Sequence, residues 1–135
     1  MTKIESKEVT VGADAQKCFD FLLDLNNYNL LLPKDKISDW KSDEKNCSFK
    51  IQNTYKLALH YSDSEPTSKI LITSGEGSPF TFDLYINLED KGDSTGAQLV
   101  CHADINPFLK MMVQKPLNNL FDYMADRMVK VFAEE

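Results

Sequence analysis

Residues 107–132 read PFLKMMVQKPLNNLFDYMADRMVKVF, a long amphipathic helix pattern closing a chain otherwise patterned as strands. Leu109, Val113, Leu117, Leu120, Met124, Met128 and Val131 recur every three or four residues, which sets them on one helical face. Phe108, Met112, Phe121, Ala125, Val129 and Phe132 widen that stripe, while Lys110, Gln114, Asn118, Asp122, Asp126 and Lys130 fall opposite. A helix this apolar needs a broad surface to lie on. Asn106 suits its cap and Pro107 its first position, where a missing N–H costs nothing. Pro116 breaks the pattern from inside. It cannot donate to the carbonyl of Met112, and an interior proline costs roughly 3 kcal/mol. Two readings stay open. Either the helix bends at Pro116 and frames the mouth of a cavity, or residues 108–115 form a separate turn and the main helix starts at Pro116.

The surface that this helix needs lies upstream. Residues 3–11 end in the β-favouring Val9-Thr10-Val11 and predict a first strand near a sheet edge, where Lys and Glu discourage edge pairing. Gly12 breaks it. Asp14 is placed to cap a helix with Ala15, Cys18, Phe19, Leu22 and Leu25 as its buried stripe. Asn26-Asn27 interrupts that helix, and residues 28–32 read as a second short helical turn stopped by Pro33. Beyond Pro33 the hydrophobic period changes from about 3.6 to 2. Strands are predicted over residues 36–42, 46–53, 54–62, 67–74, 80–88 and 97–105, with turns at 75–78 and 91–93. Short turns between successive strands make the sheet an antiparallel meander. The alternation gives it one buried and one wet face. Residues 1–135 thus predict a single α+β domain, one sheet covered by one helix.

The totals bound the function. The chain has 21 acidic and 15 basic side chains, a formal net charge of −6. That balance argues against nucleic acid, which needs clustered Lys and Arg to displace counterions, and against electrostatic docking on an anionic membrane. Cys18, Cys47 and Cys101 are too few and too scattered for a disulfide framework, and read as buried thiols of a reducing compartment. The start, MTKIESKEV, has no apolar signal region. No stretch approaches the roughly 18 apolar residues of a membrane span. The expectation is a soluble cytoplasmic protein with no stable membrane insertion; the oligomeric state is left open.

The order of elements resembles the START-like (SRPBCC) superfamily, which includes polyketide cyclase/dehydrase-like proteins and the helix-grip fold of pollen allergens. The residues that carry the resemblance begin with Val11-Gly12-Ala13-Asp14-Ala15-Gln16-Lys17-Cys18-Phe19-Asp20-Phe21-Leu22, similar to the family's V-x-A-x-x-x-x-V/C-F-x-x-L. Leu32-Pro33, Trp40 on the following strand and the helix after the last strand continue it over nearly the whole chain. The resemblance implies a seven-stranded antiparallel sheet wrapped around the C-terminal helix, with two short helices after the first strand. It also implies a cavity between sheet and helix that holds an apolar or amphipathic small molecule of lipid, sterol, polyketide or quinone type. No family catalytic residue matches a position here, and no cofactor is implied.

The strand residues facing the helix are Phe49, Tyr55, Leu57, Leu59, Phe80, Phe82, Leu84, Leu99 and Cys101, met by Met112, Leu120, Met124 and Met128. Singly, each reads as core. As a set between a curved sheet and a straight rod, they read as a ligand-binding wall. His60 and His102 alternate onto the outer face, so a Cys–His or Ser–His–Asp set would need residues from opposite faces. No His, Cys and carboxylate cluster has metal-ligand spacing. The leading expectation is therefore binding or transport of a small apolar or amphipathic molecule. Its rivals are a polyketide cyclase/dehydratase-like enzyme, with Tyr55, Tyr61 and Cys101 as the inward polar groups, and a chaperone-cofactor type of interaction module.

Overall fold

The computed structural model describes residues 1–52 and 55–133. Two strands, β1 (Thr2–Glu5) and β2 (Val9–Val11), precede helix α1 (Ala15–Leu23) and a 3-10 helix (Leu25–Leu31). Six strands follow: β3 (Ile37–Ser42), β4 (Asn46–Ile51), β5 (Tyr55–Glu65), β6 (Lys69–Ser74), β7 (Thr81–Asp90) and β8 (Thr95–Asp104). Helix α2 (Pro107–Ala133) closes the order. The expected strand ends at Asn53 and Thr54 lie outside the described residues. Pairing is antiparallel throughout, in the order β1-β8-β7-β6-β5-β4-β3, with β2 also on β8. No helix of the described residues is long and apolar enough to cross a membrane.

The sheet wrapped on a C-terminal helix is as expected, with one strand more. The single strand expected over residues 3–11 is split, because the chain leaves the ladder between Glu5 and Val9. Ser6 bridges the gap: its N–H donates to the Leu99 carbonyl at 2.9 Å, and its hydroxyl accepts from the Leu99 N–H at 3.0 Å. The break is also where α2 is tied down. The Asn118 side-chain amide donates to the Glu5 carbonyl at 2.8 Å, the Lys7 N–H donates to Asp122 at 2.7 Å, and the Lys7 ammonium meets Asp126 at 2.8 Å. These three side chains stand four residues apart and so form one row along the helix. The helix's polar side, expected to face water, is thus partly spent on pinning it to the first strand.

Local signals act where expected. Asp14 accepts from the Lys17 N–H at 2.9 Å and caps α1. Asp24 ends α1 and caps the 3-10 helix through the Asn26 N–H, two residues before the expected break at Asn26-Asn27, so Leu25 belongs to the 3-10 helix and not to α1. Asn106 accepts from the Leu109 N–H at 2.8 Å and caps α2. The helix then runs unbroken through Pro116, so the reading in which it begins there does not hold. Thr95, fully buried, donates to the Ala13 carbonyl at 2.8 Å and locks the chain ahead of α1 onto β8.

A candidate ligand cleft beside Pro116

The interior between sheet and helix is packed. Phe49, Leu57, Leu59, Phe80, Phe82, Leu84, Leu99 and Cys101 from the strands are all buried, as are Leu120 and Met124 from α2. Trp40 stacks on Phe49 with ring centroids 6.0 Å apart, and Phe80 tilts against Phe82 at 5.8 Å. What remains empty beneath Leu117 and Phe121 is a void of about 10 Å³, bordered by Leu57, Leu59, Phe80, Phe82 and Cys101. That is room for about one water. Burial pushes the Cys101 thiol up to about 12, so it stays protonated.

Two of the expected wall residues stand apart from the rest. Tyr55 is half-buried, and its hydroxyl is enclosed without a partner among the described residues. Burial pushes that phenol up to about 12, which keeps it a neutral donor. Met112 is 60% exposed and points away from the interior. The widening of the helical stripe therefore holds after Pro116, where Phe121, Ala125 and Phe132 are buried, and fails before it, where Phe108 and Met112 face solvent.

An open cleft of about 350 Å³ lies on the side of α2 at Pro116. One wall is the turn that follows the 3-10 helix. Pro33 stops that helix, and its carbonyl accepts from the N–H groups of Lys36 (3.0 Å) and Ile37 (3.2 Å). This folds Asp35 and Lys36 to the rim and Ile37 to the wall. A second wall is the end of β4, where Gln52 turns out of the strand at φ +50° and donates its N–H to the Lys36 carbonyl at 2.7 Å. A left-handed conformation in a non-glycine residue is strained and needs such a tie to persist. The third wall is α2 itself, through Pro116, Asn119, Leu120 and Tyr123. Ile51 and Leu120 are buried apolar surfaces, while Asp35, Lys36, Gln52, Asn119 and Tyr123 are exposed.

Of these residues, sequence reasoning reached Leu120 as a wall residue and Pro116 as a cavity mouth. It missed Asn119 and Tyr123, although they follow Pro116 at three and seven residues and so share its flank. It read Pro33 as a helix stop and placed Ile37 in the strand expected over residues 36–42, without assigning either to a site. Neither histidine lines the cleft. His60 is exposed, with Nδ1 at 2.7 Å from the Asn46 side-chain oxygen, and His102 packs edge-on to Tyr85 on the outer face. Cys18, Cys47 and Cys101 are buried free thiols. Among the described residues no three His, Cys, Asp or Glu side chains gather to hold a metal.

No family model matches the sequence, and no curated protein resembles it in sequence. Solved structures do resemble it in shape. The protein XoxI from Bacillus cereus superposes with a TM-score of 0.76 at 7% identity, covering 99% of this chain and 97% of its own. A START superfamily protein from Mycobacterium smegmatis superposes at 0.66 and 14% identity, covering 96% and 98%. Norcoclaurine synthase from Thalictrum flavum, solved with dopamine and hydroxybenzaldehyde, superposes at 0.72 and 16% identity, covering 99% and 87%.

The chain has the START-like, helix-grip fold. In this helix-grip chain the space between sheet and helix is reduced to a water-sized void. An accessible cleft lies at the side of the grip, where the turn after the 3-10 helix, the end of β4 and α2 meet.

Proposed function

We propose that the protein binds a small amphipathic molecule in the cleft beside Pro116. Clefts of about 310 Å³ beside Gly96 and about 360 Å³ beside Gly75 match it in size; the observation that carries this reading is the lining, since the cleft of about 350 Å³ at Pro116 joins buried Ile51 and Leu120 to two prolines and Ile37. Small-molecule sites span roughly 300–1,000 Å³ and combine apolar walls with a few convergent polar groups. The cleft sits at the lower end of that range. Pro33, Ile37, Ile51, Pro116 and Leu120 offer the apolar wall, and Lys36, Asp35, Gln52, Asn119 and Tyr123 the polar rim. A compact aromatic or short aliphatic body with one polar end fits this lining. A sterol or long acyl chain would have to displace packed side chains such as Leu117 and Phe121.

The test is an NMR titration with dopamine, 4-hydroxybenzaldehyde, 2-naphthol and octanoate as probes. Binding is expected to shift the resonances of Ile37, Ile51, Leu120 and Tyr123, and Leu120→Trp, which fills the cleft, is expected to remove those shifts. If none of the probes perturbs these residues at about 1 mM, where even weak binding registers, or if shifts cluster elsewhere, the reading fails. A second reading, an enzyme acting on such molecules, draws on the presence of both a carboxylate residue, Asp35, and an amine residue, Lys36, in the cleft lining. It draws also on the use of this fold by norcoclaurine synthase. Product formation from the dopamine and hydroxybenzaldehyde pair, lost in Lys36→Met, would favour it over simple binding.

A further inference from the structure

The outer face of the sheet, away from α2, carries a cluster of cations where β3, β4 and β5 meet. Along a strand, residues two apart share a face, and so do cross-strand partners. Ser48 on β4 pairs with Lys41 on β3 and with Ala58 on β5, and Lys50 pairs with Lys56. Lys41, Lys50 and Lys56 therefore surround Ser48 on one face, all three exposed. With Asp39 they line a depression of about 110 Å³, the room of about four waters. Like charges set directly opposite on neighbouring strands are destabilising. This chain, moreover, has 15 basic side chains against 21 acidic ones, so lysines have acids to meet elsewhere. Three of them converging on one serine call for an anion. We propose that the depression binds the phosphate group of a small, soluble sugar or polyol phosphate.

Charge sets the ligand class. The Asp39 carboxylate lies 3.3 Å from the Lys50 ammonium, and among the described residues Lys41 and Lys56 have no ion-pair partner. Three ammonium groups less one carboxylate leave a local charge of +2. A phosphate monoester carries about −1.5 to −2 at pH 7, and lysine meets phosphate as a point charge. A single carboxylate would leave half of that charge unmatched.

The backbone places the lysines. β3 bulges between Ser38 and Lys41, with Asp39 in the left-handed region at φ 54°. In the register of Ser38↔Lys50, Lys41 would stand opposite Cys47, which faces the core. The extra residue moves it opposite Ser48 and so turns it outward, as bulges do. Lys56 runs along Gly77, where a Cβ would come within 3.2 Å of its Cδ and Nζ. The depression adjoins the groove beside Gly75, with which it shares Lys41, Ser48 and Lys56; that groove adds Ser42, Asn46 and Glu76. Asp43 also lines the groove, but one of its oxygens already accepts from the Lys45 and Asn46 N–H groups at 2.8 and 2.9 Å. Hydroxyl, amide and carboxylate groups suit a hydroxylated body. A lipid headgroup in a membrane fits less well. None of the exposed large apolar residues described lines either hollow, and the chain as a whole carries −6. Neither hollow shares a residue with the cleft beside Pro116, so this binding does not depend on the ligand proposed there.

Amide NMR titration of the full chain with glycerol 3-phosphate and glucose 6-phosphate tests the proposal, with sodium chloride at matched ionic strength as reference. Saturable shifts are expected at Lys41, Ser48, Lys50 and Lys56. Lys41→Met and Lys56→Met are each expected to weaken binding about fivefold with unchanged circular dichroism spectra, and Lys110→Met on α2 to leave it unchanged. Asp39→Asn keeps a residue type that tolerates the left-handed backbone and removes the competing carboxylate. It is expected to tighten binding about twofold. No saturable shift at about 10 mM ligand, or shifts reproduced by sodium chloride alone, overturns the proposal. So do affinities that Lys41→Met and Lys56→Met leave unmoved, or weaker binding by Asp39→Asn. Capture on phosphatidic acid vesicles without a response to the soluble phosphates would assign the lysines to a lipid headgroup and equally overturn it.

Discussion

The two stretches of α2 on either side of Pro116 share one amphipathic pattern and have different surroundings. After Pro116, Leu117, Leu120, Phe121, Met124, Ala125, Met128 and Phe132 are buried, and polar ties hold the flanks. Asn118, Asp122 and Asp126 pin one side to the break between β1 and β2, and the Arg127 guanidinium donates to the Leu30 carbonyl at 3.1 Å on the other. Before Pro116 the one buried residue is Val113, and the described anchor is the Asn106 cap. The difference teaches that a helix's apolar stripe is core only as far as the sheet reaches. The stretch beyond it is left to face solvent.

Removing core from the second stretch should have the largest effect. Leu117→Ala, at a site 1% exposed, is expected to cost about 2–5 kcal/mol in chemical denaturation. A cost below about 0.5 kcal/mol, typical of surface sites, would mean that this stretch is not core. The thiol beneath it gives a pH signature. Cys101 is raised from 9.0 to about 12 in the folded state by burial, so between those values the unfolded chain loses a proton that the folded chain keeps. Stability should be fully present below pH 9 and fall as pH rises toward 12, by up to about 1.4 kcal/mol per unit. Urea melts of wild type and Cys101→Ser across that window separate this from general alkaline unfolding; equal slopes would remove the claim.

At the junction, Pro116→Ala restores the donor that the Met112 carbonyl lacks. It is expected to stabilise the fold by about 1–2 kcal/mol, the helix gain being offset in part by a freer unfolded chain. Destabilisation instead would show that the ring is needed as packing in the cleft wall. The smallest effect belongs to the first stretch: Met111→Ala should change stability by less than about 0.5 kcal/mol, since its side chain is 86% exposed. A cost above about 1 kcal/mol would erase the distinction between the two stretches.

Much of the fold is legible in the residues. The change of period after Pro33, the caps at Asp14 and Asn106, and the turn glycines mark elements whose ends the structure places within a few residues. These signals are local, and the backbone obeys them locally. The split of the first strand was not legible: Ser6 lies in an ordinary charged stretch, and what parts β1 from β2 is its bond to Leu99, far along the chain. The cleft was legible in one residue, Pro116, and in little else, because its other two walls come from elements distant in the chain, the turn after the 3-10 helix and the end of β4. Met112 misled, since periodicity states which side of a helix a residue occupies and not whether anything stands opposite.

The sequence by itself determined the element order, the antiparallel meander and the apolar face that α2 turns to the sheet, because hydrophobic period, caps and breakers act over a few neighbouring residues. Only the tertiary structure decided where that face is covered, that the space beneath Leu117 and Phe121 is a water-sized void, and that an apolar-walled cleft opens beside Pro116. Those are matters of how far the curved sheet extends along the helix, and of side-chain volumes meeting from strands distant in the chain. No local pattern carries either quantity.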